Sequence, residues 1–242
     1  MTNELPAHRP GEPLSDWHPP PRPGPEIIPG RYVWLERLDP ARHADAIFAA
    51  TRHDPAVWDY MSNGPFGDAA ALRGWMEQAV ATGAVFYAFL PAGGGDAFGY
   101  AAFMRIDAAN GVVEIGNVVL SPAAQRSRAA SEALMAMIDW AFTAGYRRVE
   151  WKCNARNAAS RRAARRYGFA FEGIFRSHMI IKSRNRDTAW FAMIADEWPE
   201  IRAAHQAWLA PSNFTEAGLQ TFSLSAMTAP IVRRAEAVIL HL

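Results

Sequence analysis

The sequence predicts an α/β (α+β) fold in which a mixed, mostly antiparallel sheet of about seven strands carries helices on both faces. Three observations predict it. Short apolar or alternating segments bounded by Gly, Pro and Asp indicate strands. Longer segments with apolar residues at a spacing of 3.6 indicate helices. One central strand–helix–strand unit requires a parallel crossover within the otherwise antiparallel sheet.

The strands follow from these short segments. Residues 31–38 form the first. The segments 85–90, 98–107 and 112–120 are joined by turns too short for crossovers, so we expect an antiparallel meander. The remaining strands are predicted at 148–154, 169–176 and 188–195.

The helices follow from apolar spacing and from capping residues. Pro40 opens the first helix, and Asp68 caps the second. The clearest helix spans 126–144, because its apolar residues recur at i, i+3, i+4 and i+7. The predicted helices lie at 41–52, 68–82, 126–144, 158–167, 197–209 and 231–242.

The chain divides into a central domain, 31–196, and two extensions. Residues 1–30 hold nine of the seventeen prolines, which is typical of an extended arm. Such an arm either packs along its own domain or binds a partner. Residues 197–242 are predicted to form a C-terminal helix and tail.

The composition excludes several classes of protein. A net charge of +1 gives no global reason to bind nucleic acid or an anionic membrane. The single cysteine, Cys153, excludes a disulfide framework, and the seven histidines show no ligand spacing, so no metal is expected. No apolar run reaches the roughly 18–20 residues that span a bilayer. Because the first residues lack a signal-peptide pattern, the cytoplasm is the expected compartment.

The junction between strand 112–120 and the long helix carries the first functional signal. The first turn of a helix presents unpaired amides and the positive end of the helix dipole, which suits a pyrophosphate. Small residues here allow close approach, and Arg126, Ser127 and Arg128 add charge and donors. The alternative is an ordinary surface helix with a polar start.

A second signal lies where strand 148–154 becomes a helix. Asn154, Asn157 and Ser160 recur at spacings of three, and Gly168-Phe169 follows the helix. Asn157 also suits the N-cap of that helix. A cap and a ligand-binding role are compatible, because both place the side chain at the mouth of the strand–helix turn.

On these residues the chain resembles the Gcn5-related N-acetyltransferases (GNAT). The junction at 125–130 is similar to their Gln/Arg-x-x-Gly-x-Gly/Ala signature, with Arg128 at the central Gly. The segment 154–195 resembles the Rim-type ribosomal-protein N-terminal acetyltransferases. The matching residues are Asn154, Asn157, Ser160, Gly168, Phe169, Glu172, Gly173, Arg176 and Asp187.

The resemblance implies that acetyl-CoA, without a metal, lies in a V-shaped splay between strands 112–120 and 148–154. The strand backbone would pair with the pantetheine arm, the junction would hold the pyrophosphate, and Asn157 would bind the arm near its thiol. The implied donor-binding residues are Val118, Val119, Leu120, Gln125, Arg126, Ser127, Arg128, Ala129, Ala130, Asn154 and Asn157.

The resemblance also implies direct attack by an amine on the thioester. The amine must lose a proton, and Glu114 on the central strand is the expected base, with Glu172 as the second candidate. A solvated strand carboxylate is the alternative for Glu114. Many relatives use a Tyr as donor to the leaving sulfur, but Ala164 stands there, so Ser160 is assigned as the hydroxyl donor.

The acceptor pocket is expected from the aromatic loop at 54–67 and the loop at 177–187. Trp58, Tyr60 and Met61 are the candidate substrate-binding residues, although such rings also serve as core. The expected acceptor is a small-molecule amine or a protein N-terminus. We expect no nucleic acid or membrane partner, and we expect the protein to form a homodimer. The alternatives are a transferase for another acyl-CoA, such as succinyl-CoA, and a catalytically silent acyl-CoA-binding module.

Overall fold

A computed structural model describes residues 13–240 and contains an eight-stranded sheet in the order β1-β2-β3-β4-β5-β6-β8-β7. The β5–β6 pair is parallel and every other neighbouring pair is antiparallel, which confirms the mixed, mostly antiparallel sheet. The strands are β1 (Ile27–Pro29), β2 (Val33–Arg37), β3 (Val85–Pro91), β4 (Gly99–Asp107), β5 (Val112–Leu120), β6 (Arg148–Asn154), β7 (Ala170–Ile181) and β8 (Arg184–Ile194).

Six α-helices pack on the two faces of this sheet within the described residues. Asp68 caps the second helix, as predicted, by accepting a hydrogen bond from the Ala71 amide at 2.8 Å. The helices are α1 (Pro40–Thr51), α2 (Ala69–Ala81), α3 (Arg128–Thr143), α4 (Ala158–Tyr167), α5 (Trp198–Leu209) and α6 (Leu224–Ile239).

Two apolar cores hold the layers together. The larger lies between the sheet and α3 to α6, where alternate residues of each strand meet the helices. Its fully buried side chains include Phe89, Phe103, Phe169 and Phe191. The smaller core lies on the opposite face under α1 and α2, and covers β3 and β4. The outer part of that second face, on β5, β6 and β8, carries polar and charged side chains instead.

The parallel strands β5 and β6 separate after three residue pairs. Their register runs Val112 to Arg148, Val113 to Val149 and Glu114 to Glu150, and no pair follows. A bulge with Asn117 at φ 49° lies in β5 just beyond this point. Bulges bend a strand and strengthen its twist. The splay between 112–120 and 148–154 is therefore present.

The structure extends the sequence prediction at two places in the sheet. The short strand β1 adds an eighth member, pairing with β2. The expected loop at 177–187 is wrong, because β7 and β8 continue through it as a long hairpin closed at Lys182 and Ser183. Both turn residues have positive φ, at 48° and 58°. Such turns normally carry Asn or Gly, so this sequence gave no hairpin signal.

Two predicted helix boundaries were also wrong. The long helix α3 begins at Arg128 rather than at residue 126, because Arg126 has φ 64° and Ser127 is the N-cap. The last helix begins at Leu224 rather than at residue 231. It passes through Pro230, which normally ends a helix, because Leu224, Ile231 and neighbouring residues are buried against the core.

Residues 13–26 run along the domain without helix or strand. The Tyr87 hydroxyl donates to the Pro25 carbonyl at 2.7 Å, and the Tyr146 hydroxyl donates to the Pro21 carbonyl at 3.1 Å. Trp17 covers Gly111, where a side-chain Cβ would collide with its ring. Across residues 13–240, no helix is long and apolar enough to cross a membrane.

Candidate active site

The turn before α3 presents a set of backbone amides. The Ser127 hydroxyl caps the helix by accepting from the Ala130 amide at 3.0 Å. The amides of Arg128 and Ala129 lie in the first turn, where a helix offers them no acceptor. The Arg126 amide likewise donates to none of the described residues. These three amides and the dipole of a 16-residue helix form a favourable environment for an anion.

The side chains of this turn have different environments. Gln125 and Arg126 are exposed beside the free amides. The Arg128 guanidinium instead lies between two aromatic rings, 3.6 Å from the centre of Phe214 and 4.6 Å from that of Tyr32. Arg128 therefore offers its amide to the anion site, while its side chain ties the start of α3 to the residue before β2 and to the C-terminal segment.

The mouth of α4 brings together the three polar residues of the second motif. Asn157 caps the helix by accepting from the Ser160 amide at 3.0 Å, and Asn154 accepts from the Arg156 amide at 2.9 Å. The Ser160 hydroxyl accepts a hydrogen bond from Trp151 Nε1 at 3.0 Å. Because the hydroxyl is an acceptor in that bond, it can still donate its own proton, to the neighbouring Cys153 sulfur or to another group.

Cys153 lies beside Ser160 and is buried. Burial raises the pKa of the Cys153 thiol, although the Ser160 hydroxyl and the nearby Arg186 and Arg161 partly oppose this. Since the thiolate is the reactive form of cysteine, this environment disfavours a nucleophilic role.

Glu114 is the last residue of β5 that pairs with β6, and it is 3% exposed. Its Oε2 accepts from Arg105 Nη1 at 2.6 Å and lies 3.0 Å from Lys152 Nζ. Its Oε1 accepts no hydrogen bond from the described residues. Arg105 has φ 44° in a bulge of β4, which directs its side chain towards Glu114. Glu114 is therefore a buried, charge-paired carboxylate at the apex of the splay rather than a solvated one.

The ion pairs continue across the sheet beyond Lys152. Lys152 Nζ lies 2.6 Å from Glu150 Oε2, and Arg148 Nε lies 2.9 Å from Glu150 Oε1. Burial would raise the pKa of Glu150, but the hydrogen bonds from Lys152 and Arg148 outweigh it, so that pKa is lowered. The ring of Trp190 covers Lys152, with Nζ 3.9 Å from the ring centre.

Glu172, the second candidate base, lies at the far end of this chain of ion pairs. Both its oxygens accept from Arg148, at 2.8 and 2.6 Å. Arg148 begins β6, and Asn154 ends it. Six residues of strand place them roughly 20 Å apart. Glu172 is therefore engaged with Arg148 near the closed end of the splay, away from Ser160.

The aromatic loop at 54–67 lies over the open end of the splay. The Tyr60 hydroxyl donates to the Arg156 carbonyl at 3.3 Å, and Lys182 Nζ donates to the Trp58 carbonyl at 2.9 Å. These bonds join the loop to the mouth of α4 and to the tip of the β7–β8 hairpin. Tyr60 is exposed and Met61 is half-buried, whereas the Trp58 ring is buried in the second core.

Several residues of the site were missed by sequence reasoning. Arg105, Lys152, Trp190 and Arg186 all lie on the charged face, around or near Glu114. One signal was available, since Arg148, Glu150 and Lys152 alternate along β6 and so share a face. Arg105 gave none, because its orientation depends on a bulge. Among residues 13–240, no cluster of three or more His, Cys, Asp or Glu could hold a metal ion.

Comparison with known proteins identifies the family. A family model described as an acetyltransferase (GNAT) domain matches residues 33–170. A GCN5-related N-acetyltransferase from Brucella melitensis is 43% identical, covers 89% of this chain and 100% of its own, and superposes with a TM-score of 0.86. A probable GNAT-family acetyltransferase from Chromobacterium violaceum ATCC 12472 is 39% identical, with coverages of 81% and 100% and a TM-score of 0.76.

A more distant structure shares the fold alone. It is an acetyl transferase from Salmonella typhimurium that modifies the N-terminal serine of 50S ribosomal subunit protein L7/L12. It is 23% identical, covers 70% of this chain and 99% of its own, and has a TM-score of 0.61. No curated protein matches the chain. The family model and the Brucella structure show that the chain belongs to the GNAT acetyltransferase family, and it is therefore an acyltransferase.

Proposed function

We propose that this protein transfers an acetyl group from acetyl-CoA to a primary amine by direct attack. The observation that carries the proposal is Glu114, a buried carboxylate at the apex of the splay, with one oxygen not bonded to the described residues. Ser160 lies at the other wall of the same opening, at the mouth of α4. A carboxylate can accept the proton that the attacking amine loses, and a hydroxyl can donate a hydrogen bond to the leaving sulfur, as aminolysis of a thioester needs.

The donor fits the opening in two parts. Beyond Glu114 and Glu150, β5 and β6 no longer pair with each other. The backbone groups on their facing edges can therefore pair with an amide-containing pantetheine arm. Val118, Val119 and Leu120 supply the β5 edge, and Asn154 and Asn157 flank the β6 side. The amides of Arg126, Arg128 and Ala129, with Ser127, Gln125 and Ala130 around them, suit the pyrophosphate.

In the reaction, the amine nitrogen forms a bond to the thioester carbonyl carbon, and the carbon–sulfur bond breaks. Glu114 takes the proton from the amine, directly or through a water at Oε1. The CoA sulfur leaves as a thiolate, which the Ser160 hydroxyl stabilises by donating a hydrogen bond while keeping its proton. The proton that Glu114 accepted passes to solvent or to the departing thiolate, which restores the carboxylate. No covalent intermediate on the protein is needed, in keeping with the buried, protonated Cys153.

The acceptor would enter from the charged face of the sheet, between the 54–67 loop and the β7–β8 hairpin. Tyr60 and Met61 are the proposed contacts with the acceptor. The Trp58 carbonyl accepts a hydrogen bond from Lys182 and so joins the loop to the hairpin. A small-molecule amine and a protein N-terminus both fit this description. We propose a cytoplasmic protein that assembles as a homodimer.

A thiol-release assay tests this proposal. Acetyl-CoA is offered with peptides bearing free Ala, Ser and Met N-termini, polyamines, amino acids and aminoglycosides. We expect release with one class and its loss when the amine is blocked. Binding of acetyl-CoA by calorimetry without release on any acceptor would instead support a catalytically silent acyl-CoA-binding module. Release only with a larger acyl-CoA would support the alternative donor.

A further inference from the structure

Arg186 brings an unbalanced positive charge to the acceptor side of the site. The neighbouring ion pairs form a chain of three cations and three carboxylates, and each cation in it contacts a carboxylate. Arg186 joins no salt bridge among the described residues. The chain consists of Arg105, Glu114, Lys152, Glu150, Arg148 and Glu172.

Arg186 has a defined position relative to the splay. It lies on β8 with Thr188 and Trp190 at alternate positions, so the three side chains share one face. Thr188 pairs with Asn154, the last residue of β6, and Trp190 pairs with Lys152. Arg186 therefore extends past the open end of β6, on the face where Glu114 and Lys152 lie.

The guanidinium is partly desolvated there. Burial lowers the pKa of Arg186, and the Cys153 thiol and the Glu114 carboxylate partly offset this, while Arg105 adds to it. The Nε atom is buried without a hydrogen-bond partner, and so is Trp190 Nε1 on the same strand face. Buried polar atoms are normally paired, and both of these are donors. The Arg186 guanidinium, a buried donor with a net positive charge, therefore matches a ligand that carries acceptor oxygens and a negative charge.

We propose that the transferase acts on a substrate with a carboxylate near its reacting end, and that Arg186 binds this carboxylate. The inference rests on the proposed acyl transfer to an amine, and it specifies the class of the acceptor or of the acyl donor. A carboxylate has two acceptor oxygens and matches the planar fork of a guanidinium. The same charge disfavours acceptors that are purely cationic, such as polyamines.

Two substrates could supply this carboxylate. One is the amine acceptor, as an amino acid or as a peptide with an acidic second residue. The other is the acyl donor, as the CoA thioester of a dicarboxylic acid. Matched neutral partners separate them: Ser-Asp-amide against Ser-Asn-amide and methionine against methioninamide for the acceptor, and succinyl-CoA against acetyl-CoA for the donor.

The experiment compares kcat/KM for these pairs in the full chain, in Arg186→Gln and in Arg186→Lys. Arg184→Gln is the matched control, because Arg184 is an exposed arginine on the same strand. We expect the wild type to prefer the carboxylate partner of one pair by about 10- to 100-fold, the range of a hydrogen bond to a charged group. Arg186→Gln should reduce that preference to about one, chiefly by slowing the carboxylate substrate.

Arg186→Lys should retain part of the preference, and Arg184→Gln all of it. If Arg186→Gln lowers kcat/KM equally for the two substrates of each pair, with an unchanged melting temperature, the assignment is overturned. A wild type with no preference in any pair would also overturn it. The pair that shows the effect identifies whether the acceptor or the donor carries the carboxylate.

A binding measurement keeps this inference separate from the proposed function. If neither these pairs nor the amine panel gives thiol release, transfer to amines is refuted, and the carboxylate site is still tested by binding. The CoA-saturated protein is titrated by calorimetry with N-acetylaspartate and N-acetylasparaginamide, and the free protein with succinyl-CoA and acetyl-CoA. Tighter binding of a carboxylate ligand, lost in Arg186→Gln, supports the site. Equal binding within both pairs contradicts it.

Discussion

Lys152 Nζ lies 3.0 Å from Glu114 Oε2 and so joins β6 to β5 at the point where the two strands separate. The lysine is 7% exposed, is shared with Glu150 at 2.6 Å, and is covered by the Trp190 ring. Pairs this buried are costly to break, because the remaining charge is left without compensation. The pair therefore fixes the Glu114 carboxylate at the apex of the proposed donor site.

Replacing Glu114 by Gln should lower kcat about 100-fold or more, since general base catalysis typically contributes 10²–10⁴-fold. The affinity for acetyl-CoA, measured by calorimetry, should change little. Glu172→Gln is the control, because Glu172 pairs with Arg148 at the far end of the ion pairs. A Glu114→Gln variant that keeps the wild-type kcat would show that Glu114 is not the general base. A greater loss in Glu172→Gln would favour Glu172 instead.

Replacing Ser160 by Ala should slow the reaction about 10-fold or more by removing the donor to the leaving sulfur. The loss should shrink with acetyl thioesters whose thiol is more acidic, because such leaving groups need less stabilisation. Steady-state rates with a series of thioesters measure this. Ser212→Ala, at an exposed serine, is the control. An equal loss across the whole series would mean that Ser160 acts only in folding or binding.

Replacing Arg126 by Asn should weaken acetyl-CoA binding about 3- to 10-fold and reduce its dependence on salt, because an exposed charge beside the pyrophosphate is lost. Asn tolerates the φ of 64° at this position. Arg128→Met should behave differently, since its guanidinium lies between Phe214 and Tyr32. We expect lower stability, by about 1 kcal/mol, with a smaller effect on binding. Calorimetry at two salt concentrations decides between them.

His205 should make the fold less stable in acid. Burial lowers the pKa of His205 to about 4, and its Nε2 hydrogen-bonds the Tyr167 carbonyl at 2.8 Å while Nδ1 is buried without a partner. Because the folded pKa lies below the ordinary 6.5, protonation favours unfolding. Stability is therefore fully present above pH 6.5 and falls as the pH drops towards 4, by up to about 3 kcal/mol.

Urea unfolding of wild type and His205→Gln between pH 7 and 4 measures this effect. The variant should lose much of the dependence of the unfolding free energy on pH. Part of the remaining dependence comes from His43, because burial also lowers its pKa. His53→Gln, at an exposed histidine, should keep the wild-type slope. Identical slopes in wild type and His205→Gln would contradict the assignment.

The sequence predicted the parts of the fold that depend on local periodicity. The apolar spacing of α3 and the short turns between β3, β4 and β5 each gave a regular pattern, and these elements are present, with α3 beginning two residues later than expected. Glu114 was singled out because the family resemblance implies a carboxylate on the central strand, where Glu114 stands between Val113 and Ile115. The Asn157 cap at the mouth of α4 was predicted because Asn is typical of helix starts.

The remaining features depend on tertiary packing or on rare backbone conformations. The β7–β8 turn places Lys182 and Ser183 at positive φ, where Gly or Asn is usual. The helix α6 continues through Pro230, because packing against the core outweighs the missing hydrogen bond. No sequence pattern identified Arg186, because its burial depends on the β7–β8 hairpin, which was not predicted.

Direct transfer of the acetyl group from acetyl-CoA to the amine can be tested by following the masses of protein and amine during turnover. The protein, acetyl-CoA and an amine that supports thiol release are mixed at comparable concentrations, and the reaction is quenched at successive times. Mass spectrometry then gives the masses of the intact protein and of the amine. We expect the amine to gain one acetyl group while the protein never does. An acetylated protein that forms and decays at the rate of turnover, for example at Cys153, would contradict it.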